Sequence, residues 1–294
     1  MQAVLIVGCG YVGVRVAAAW RARGAFVRGM ARSEPSAAML EEQGITPLRA
    51  DLDVPATLRS LEAGGALVYY FAPPPASGTV DTRMRAFVDA VSMGEHPRRI
   101  VYISTTGVYG DSRGEWVSEE TPPRPGSDRG RRRLDAENAL SDWGQRQAIP
   151  VVLLRVPGIY GPGRLPEERL RRAEPVLRED QCGFTNRIHV HDLVRACVAA
   201  GEDCEAGVYN VSDGSPATMT AYFNAVADAT GLPRPPAIGL DEADGRLSAG
   251  MLSYLRESRR IDNRRMREVL GVTPEYPDLL SGLQAIIEGR DDLP

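Results

Sequence analysis

The chain opens on a five-residue apolar run, Ala3–Val7, which ends at Gly8-Cys9-Gly10-Tyr11-Val12-Gly13 and gives way to helical spacing over residues 14–23, stopped by Gly24. A short apolar run, a cluster of turn residues and then amphipathic spacing predict a buried strand, a tight turn and a helix. The rhythm repeats. Residues 26–30, 45–50 and 67–71 predict three further strands, and a fifth begins at Arg99. Strands alternating with helices predict an α/β fold with a doubly wound parallel sheet and ligands at its carboxyl edge.

After a sixth strand the pattern changes. Residues 158–163 predict a turn, 165–172 a charged helix and 233–239 a proline-rich connection, while 221–231 and 266–271 have helical spacing and end on glycine. The helix expected over 191–200 should return to the sheet. Residues 1–157, with 187–202, are therefore expected to form a cofactor-binding core. Residues 158–186 and 203–294 are expected to form a smaller, interwoven C-terminal substrate lobe.

Composition narrows the function classes. A formal charge of -4 gives no long-range attraction for nucleic acid or anionic lipid, so neither is expected as a partner. The chain contains no lysine, so all 35 basic residues are arginine and any lysine-dependent mechanism is excluded. The four cysteines form no CxxC pair, which predicts reduced thiols in a cytoplasm. The apolar start lacks a basic leader and breaks at Gly8, so no export signal is read there.

The glycine turn carries the first chemistry. Gly8 permits the turn, Gly10 lets the backbone approach a diphosphate and Gly13 lets helix and strand pack closely, although a purely structural glycine turn has the same pattern. About twenty residues on, where an acid would bind a ribose 2′-hydroxyl, the sequence reads Ala31-Arg32-Ser33. Arg32 and Ser33 suit a 2′-phosphate, which predicts NADP with NAD as the alternative; a solvated Arg32 at a strand end is the competing reading. Asp51 is expected either near an adenine or as an N-cap acid ahead of Pro55, and Ala72 near the cofactor ribose.

Four later segments carry a resemblance. Arg99-Ile-Val-Tyr-Ile-Ser-Thr-Thr-Gly-Val-Tyr-Gly110, Leu154-Arg-Val-Pro-Gly-Ile-Tyr-Gly-Pro-Gly163, Arg187-Ile-His-Val-His-Asp-Leu193 and Val208-Tyr-Asn-Val-Ser-Asp213 occur in order over nearly the whole chain. In these the chain resembles the extended short-chain dehydrogenase/reductases, the NAD(P)-dependent epimerase/dehydratase family. The resemblance implies a Rossmann-type fold, with Thr105 and its neighbour Thr106 at the position that hydrogen-bonds the reacting oxygen. A strand-end threonine capping local backbone is the plainer alternative. The family's YxxxK tyrosine and lysine align with Arg129 and Arg133, and its substrate-contacting asparagine with Gly158. A guanidinium stays protonated, so Arg129 is no general base. Arg133 is expected either to grip a ribose or to lower the pKa of a nearby group by its charge, but it cannot relay a proton as the family lysine can. The chain thus looks like the atypical members that lack the tyrosine and lysine.

Tyr109, Tyr160, His189 and His191 are the titratable groups left to replace the acid, although both tyrosines sit in turns where packing is the commoner role. His189, His191 and Asp192 read as a strand-to-helix segment, not a metal site. The arginine run 129–133 is expected to line the cleft and favour an anionic small-molecule substrate, whereas runs 169–172 and 256–267 read as solvated.

The expected cofactor contacts are Gly8, Gly10, Tyr11, Val12, Gly13, Arg32, Ser33, Asp51, Leu52, Ala72, Pro73 and Pro157. The catalytic set is Thr105, Thr106, Tyr109 and Arg133, with no metal. The resemblance implies a homodimer through helices at about 81–93 and 131–147. Two functions are expected: an NAD(P)-binding oxidoreductase or epimerase/dehydratase-like enzyme with an altered site, acting on a carbonyl or hydroxyl, or a catalytically silent dinucleotide-binding sensor or scaffold.

Overall fold

The computed structural model describes residues 2–247, 252 and 257–289. Met1 and residues 248–251, 253–256 and 290–294, which belong to the expected core and substrate lobe and, at Arg256, to the third arginine run, lie outside the described residues. Six predicted strands and an unpredicted seventh form the sheet: β1 (Ala3–Val7), β2 (Phe26–Ala31), β3 (Thr46–Arg49), β4 (Leu67–Tyr70), β5 (Arg99–Thr105), β6 (Val151–Val156) and, within the 208–213 motif, β7 (Gly207–Asn210). They lie in the order β7-β6-β5-β4-β1-β2-β3, and every pairing is parallel. The result is a Rossmann-type α/β sheet. Its strand order reverses between β1 and β4, which puts the ends of those two strands at the crevice where such sheets take ligands.

The helices are α1 (Tyr11–Ala22), α2 (Glu34–Glu42), α3 (Thr82–Met93), α4 (Asp128–Gln147), α5 (Glu167–Arg171), α6 (Val190–Gly201), α7 (Met219–Thr230), α8 (Arg264–Glu268) and α9 (Leu279–Ile287). Helix α1 starts three residues before the predicted 14, because its glycine-bearing first turn has no apolar spacing to announce it. Helix α4 starts at Asp128, where the Ser127 hydroxyl accepts the Gly130 amide and caps the first turn.

Strands covered on both faces read as unbroken apolar runs, and all six residues of β6 are buried. Val16 and Trp20 of α1 and Leu193 and Cys197 of α6 pack one face of the sheet. Phe87 of α3 and Leu140 and Trp143 of α4 pack the other. The returning helix α6 is tied in by a relay: Trp20 Nε1 donates to the Tyr69 hydroxyl at 2.7 Å, and that hydroxyl donates to the Cys197 carbonyl at 2.9 Å. Between β6 and α4 a buried ion pair joins Arg155 to Glu137 at 2.7 Å.

A separate apolar cluster of Tyr160, Leu170, Phe223, Val226 and Leu283 holds α5, α7 and α9 together. Here the sequence expectations need correction. Within the expected turn 158–163, Gly158–Tyr160 forms a short strand parallel to Arg187–His189. In the proline-rich 233–239 stretch, Ala237–Ile238 pairs with Val176–Leu177. Strands this short carry too few residues to show a period of their own. No helix among the described residues is long and apolar enough to cross a membrane.

Candidate active site

The turn after β1 is built from backbone. Gly8 has φ +94, and a Cβ on it would collide with the backbone of Ala72 at the end of β4. Gly10 is the N-cap of α1 and supplies no side chain to its amides; no acid stands in the first turn, and a Cβ at Gly10 would meet nothing within 4 Å. A twelve-residue helix thus presents uncapped amides to an open approach, the arrangement that suits a diphosphate. Gly13 is held tight, its hypothetical Cβ lying 2.9 Å from the Gly8 carbonyl oxygen. Tyr11 and Val12 are half-buried in the same turn.

At the end of β2, Ala31 is buried and Arg32 is exposed, its guanidinium making no hydrogen bond or ion pair among the described residues. Ser33 caps α2, its hydroxyl accepting the Ser36 amide at 3.4 Å and pairing with the Ser36 hydroxyl at 3.0 Å. Asp51 Oδ1 accepts the Asp53 amide at 3.0 Å, and Leu52 is buried beside it. The Ala72 amide donates to the Val7 carbonyl at 3.0 Å, and the exposed Pro73 offers its carbonyl to Arg83 at 3.1 Å.

Along the same sheet edge, a cleft of about 520 Å³ opens beyond β5 and β6. Thr105, Thr106 and Gly107 form one wall, Pro157 and Gly158 another, and Ser127 and Arg129 come from the start of α4. Thr105 Oγ1 accepts the Gly107 amide at 3.2 Å. It is therefore a cap, as the plainer reading had it. The same hydroxyl donates to nothing among the described residues, so its proton remains available to an oxygen in the cleft.

Two of the expected catalytic residues are elsewhere. Tyr109 is 2% exposed, its hydroxyl donates to Asn210 Oδ1 at 2.8 Å, and the Arg155 guanidinium lies 4.7 Å from its ring. Burial raises its pKa, and it does not line the cleft, so it is a packing residue. Arg133 turns onto β5, donating to the Tyr102 hydroxyl and the Ile103 carbonyl, each at 3.0 Å. Of the arginines in the run 129–133, Arg129 alone lines the cleft; Arg131 pairs with Asp128 and Arg132 reaches the Gly78 carbonyl. In the run 169–172, Arg169, Arg171 and Arg172 pair with Glu174, Glu167 and Glu168.

The remaining titratable candidates hold the fold. Tyr160 is buried, donates to the Asp278 carbonyl at 3.3 Å and has its pKa pushed up by burial. His189 lies against Tyr160 and Tyr276, accepts the His191 amide at 3.2 Å, and is pulled down to about 4 by burial. His191 sits 3.2 Å from Glu275, while buried Asp192 accepts the Glu275 and Tyr276 amides at 2.8 and 3.0 Å. The segment clasps the chain leading into α9. Among the described residues no group of three His, Cys, Asp or Glu could hold a metal ion.

The cleft also contains residues that sequence reasoning missed: Arg187, Tyr222, Glu257 and Arg259. Arg259 pairs with Glu257 at 2.8 Å. The Arg187 guanidinium stacks 4.1 Å from the Tyr222 ring centroid. Arg187 stands at the head of a motif read for its histidines, and Tyr222 looked like one more apolar position of a helix.

Comparison with known proteins places this geometry. The family model for the NAD dependent epimerase/dehydratase family matches residues 4–212. Protein YeeZ of Escherichia coli (strain K12) is 28% identical over 293 aligned positions, covering 95% of this chain and 98% of that protein. The solved structure of a functionally unknown conserved protein from Silicibacter pomeroyi superposes with a TM-score of 0.84 at 29% identity, covering 99% of this chain and 100% of that one. MoeE5, solved in complex with UDP-glucose and NAD, superposes with a TM-score of 0.76 at 25% identity, covering 98% of each chain.

Proposed function

The chain belongs to the NAD dependent epimerase/dehydratase family, and from that premise we propose that it is an NAD(P)-binding oxidoreductase acting on a carbonyl or hydroxyl group of an anionic small molecule. The observation that carries the reading is the Thr105 hydroxyl, with a free proton, facing a 520 Å³ cleft on the sheet edge that also bears the uncapped glycine turn. When bound, the dinucleotide supplies a hydride donor or acceptor. This chain's residues do the rest. The amides opening α1 hold the diphosphate, Thr105 orients the reacting oxygen, and the walls of Thr106 and Pro157 limit water.

The proton must come from a group other than the arginines at the family's tyrosine and lysine positions, since neither guanidinium gives one up. Tyr222 is the phenol among the residues that line the cleft, and the Arg187 guanidinium stacks against its ring. It is the proposed donor. NADP is the proposed cofactor, because Ala31 and the exposed Arg32 stand where an acid would repel a 2′-phosphate. MoeE5 binds NAD, so the comparison to make is a calorimetric titration with NADPH and NADH. Tighter NADH binding would overturn the NADP assignment.

A second reading is favoured by one observation: Arg129 and Arg133 replace the proton-relay pair, and Arg133 is committed to β5. On that reading the protein binds NADPH without turnover and signals its occupancy. NADPH oxidation measured against a panel of small keto acids and phosphorylated carbonyl compounds separates the two. Turnover supports the enzyme; tight binding with silence across the panel supports the sensor.

A further inference from the structure

We infer that Arg187 is the anion-recognising group of the cleft, taking a carboxylate or phosphate of the ligand in space that exists because position 158 is glycine. The inference rests on the cleft being the ligand site proposed above. Arg187 is 6% exposed, yet its contacts among the described residues are neutral: Nη1 donates to the Asn186 carbonyl at 3.1 Å, Nη2 lies 3.2 Å from the Met219 sulfur, and Nε has no hydrogen-bond partner. Among the described residues no carboxylate lies within ion-pair distance of it. A buried charge left without a counter-charge is unfavourable unless something supplies one.

The rest of the molecule sharpens the contrast. Arg259, the other buried arginine of the cleft, has Glu257, and Arg155 in the core has Glu137. Arg99 and Arg132 are buried on carbonyl groups with no acid in ion-pair distance among the described residues, but neither lines the cleft, so no ligand can reach them there. Asp213 feels the charge of Arg187 from beyond ion-pair range, and burial raises its carboxyl to about 7, which weakens it as a counter-ion near neutrality. An incoming anion is what would balance Arg187.

Gly158 makes the arrangement possible. A Cβ there would stand 2.8 Å from Arg187 Nη1, so any side chain at 158 pushes the guanidinium aside. The resemblance puts an uncharged asparagine at this position. Here that hydrogen-bonding group is gone and a fixed cation stands against the vacated backbone, where it can pair with an anion of the ligand.

The test uses the full chain saturated with NADPH, titrated by calorimetry with malonate, with inorganic phosphate and with malonamide, the uncharged counterpart of malonate. Saturable binding of malonate or phosphate, but not malonamide, is expected, and the tighter of the two anions identifies the headgroup. Arg187→Gln should weaken that binding by at least about tenfold, with NADPH affinity unchanged. Gly158→Ala, which keeps the charge but crowds the guanidinium, should weaken it as well; it and the malonate–malonamide pair decide the matter if the glutamine variant does not fold. Malonamide binding as tightly as malonate, anion binding that survives Arg187→Gln, or no saturable anion binding would each overturn the inference. Failure to bind NADPH counts against the dinucleotide reading alone, and the anion titrations then proceed on the chain by itself.

Discussion

The Tyr11 hydroxyl donates to the Pro162 carbonyl at 3.0 Å, so the glycine turn is bonded directly to the loop that follows Tyr160. The guanidinium carbons of Arg15 and Arg164 lie 4.1 and 4.5 Å from the Tyr11 ring centroid, adding contact from both segments. Tyr11→Phe keeps the ring and removes the part-buried hydrogen bond to Pro162. It should cost about 1 kcal/mol, or roughly 2 °C in the unfolding midpoint of a chain this size. Differential scanning calorimetry with and without NADPH measures it; a loss more than twice as large in the NADPH-bound protein would show that the bond also organises the cofactor turn.

The roles of Gly8 and Gly10 in the glycine turn should separate by substitution. At Gly8 a Cβ strikes the Ala72 backbone and φ is positive, so Gly8→Ala should lower stability by about 2 kcal/mol or more in urea unfolding. At Gly10 a Cβ meets no protein atom, so Gly10→Ala should unfold within about 0.5 kcal/mol of the parent. That methyl group stands where the diphosphate is to approach, and NADPH affinity should fall about tenfold or more. A folded Gly10→Ala protein with unchanged NADPH affinity would remove the diphosphate from this turn.

The strand-rich amino-terminal half was legible because each buried parallel strand is a contiguous apolar run that ends in recognisable turn residues, as Val7 does at Gly8. The remainder of the chain was harder. Gly158–Tyr160 is three residues long and bracketed by Pro157 and Gly161, so its pairing with Arg187–His189 has no local signature. Tyr109 looked like an acid in reserve because its partner Asn210 lies 101 residues away in sequence. Arg187 escaped notice for the same reason. Its burial depends on Met219 and Tyr222 of a helix that starts about thirty residues later, and an arginine in a sequence carries no mark of how deep it lies.

Two buried groups pull the pH dependence of stability in opposite directions. Burial raises Asp213 from 3.8 to about 7, so between about pH 4 and 7 the folded chain holds a proton the unfolded chain has lost, and stability falls as pH rises. Burial lowers His189 from 6.5 to about 4, so between about pH 4 and 6.5 the unfolded chain binds the extra proton, and stability rises with pH. The two slopes oppose one another over most of that range. Asp213→Asn keeps an oxygen for the Ser215 amide that Oδ1 accepts at 3.0 Å and leaves the His189 slope uncovered. Urea midpoints should climb from pH 4.5 to 6.5 in the variant, and at pH 8 it should exceed the parent by on the order of 2 kcal/mol. A variant with the parent's pH profile would show that Asp213 titrates as an ordinary carboxyl.

The most informative comparison among the hydroxyl groups sets Thr105, Tyr109 and Tyr222 side by side, since each choice of residue predicts a different pairing of stability and rate. Thr105→Ala removes the cap on the Gly107 amide, at about 1 kcal/mol, and also the hydroxyl proposed to orient the substrate oxygen. NADPH oxidation should then fall on the order of a hundredfold, and Thr105→Ser should recover most of it. Tyr222→Phe should leave stability within about 1 kcal/mol of the parent and reduce the rate by roughly a hundredfold, with the loss concentrated in kcat. Tyr109→Phe should do the reverse. It breaks the buried bond to Asn210, lowers stability by about 1–2 kcal/mol and changes the rate little in the fraction that remains folded. If Tyr109→Phe silenced a stable protein while Tyr222→Phe ran at the parent's rate, the proton donor would have to be sought at the buried tyrosine after all.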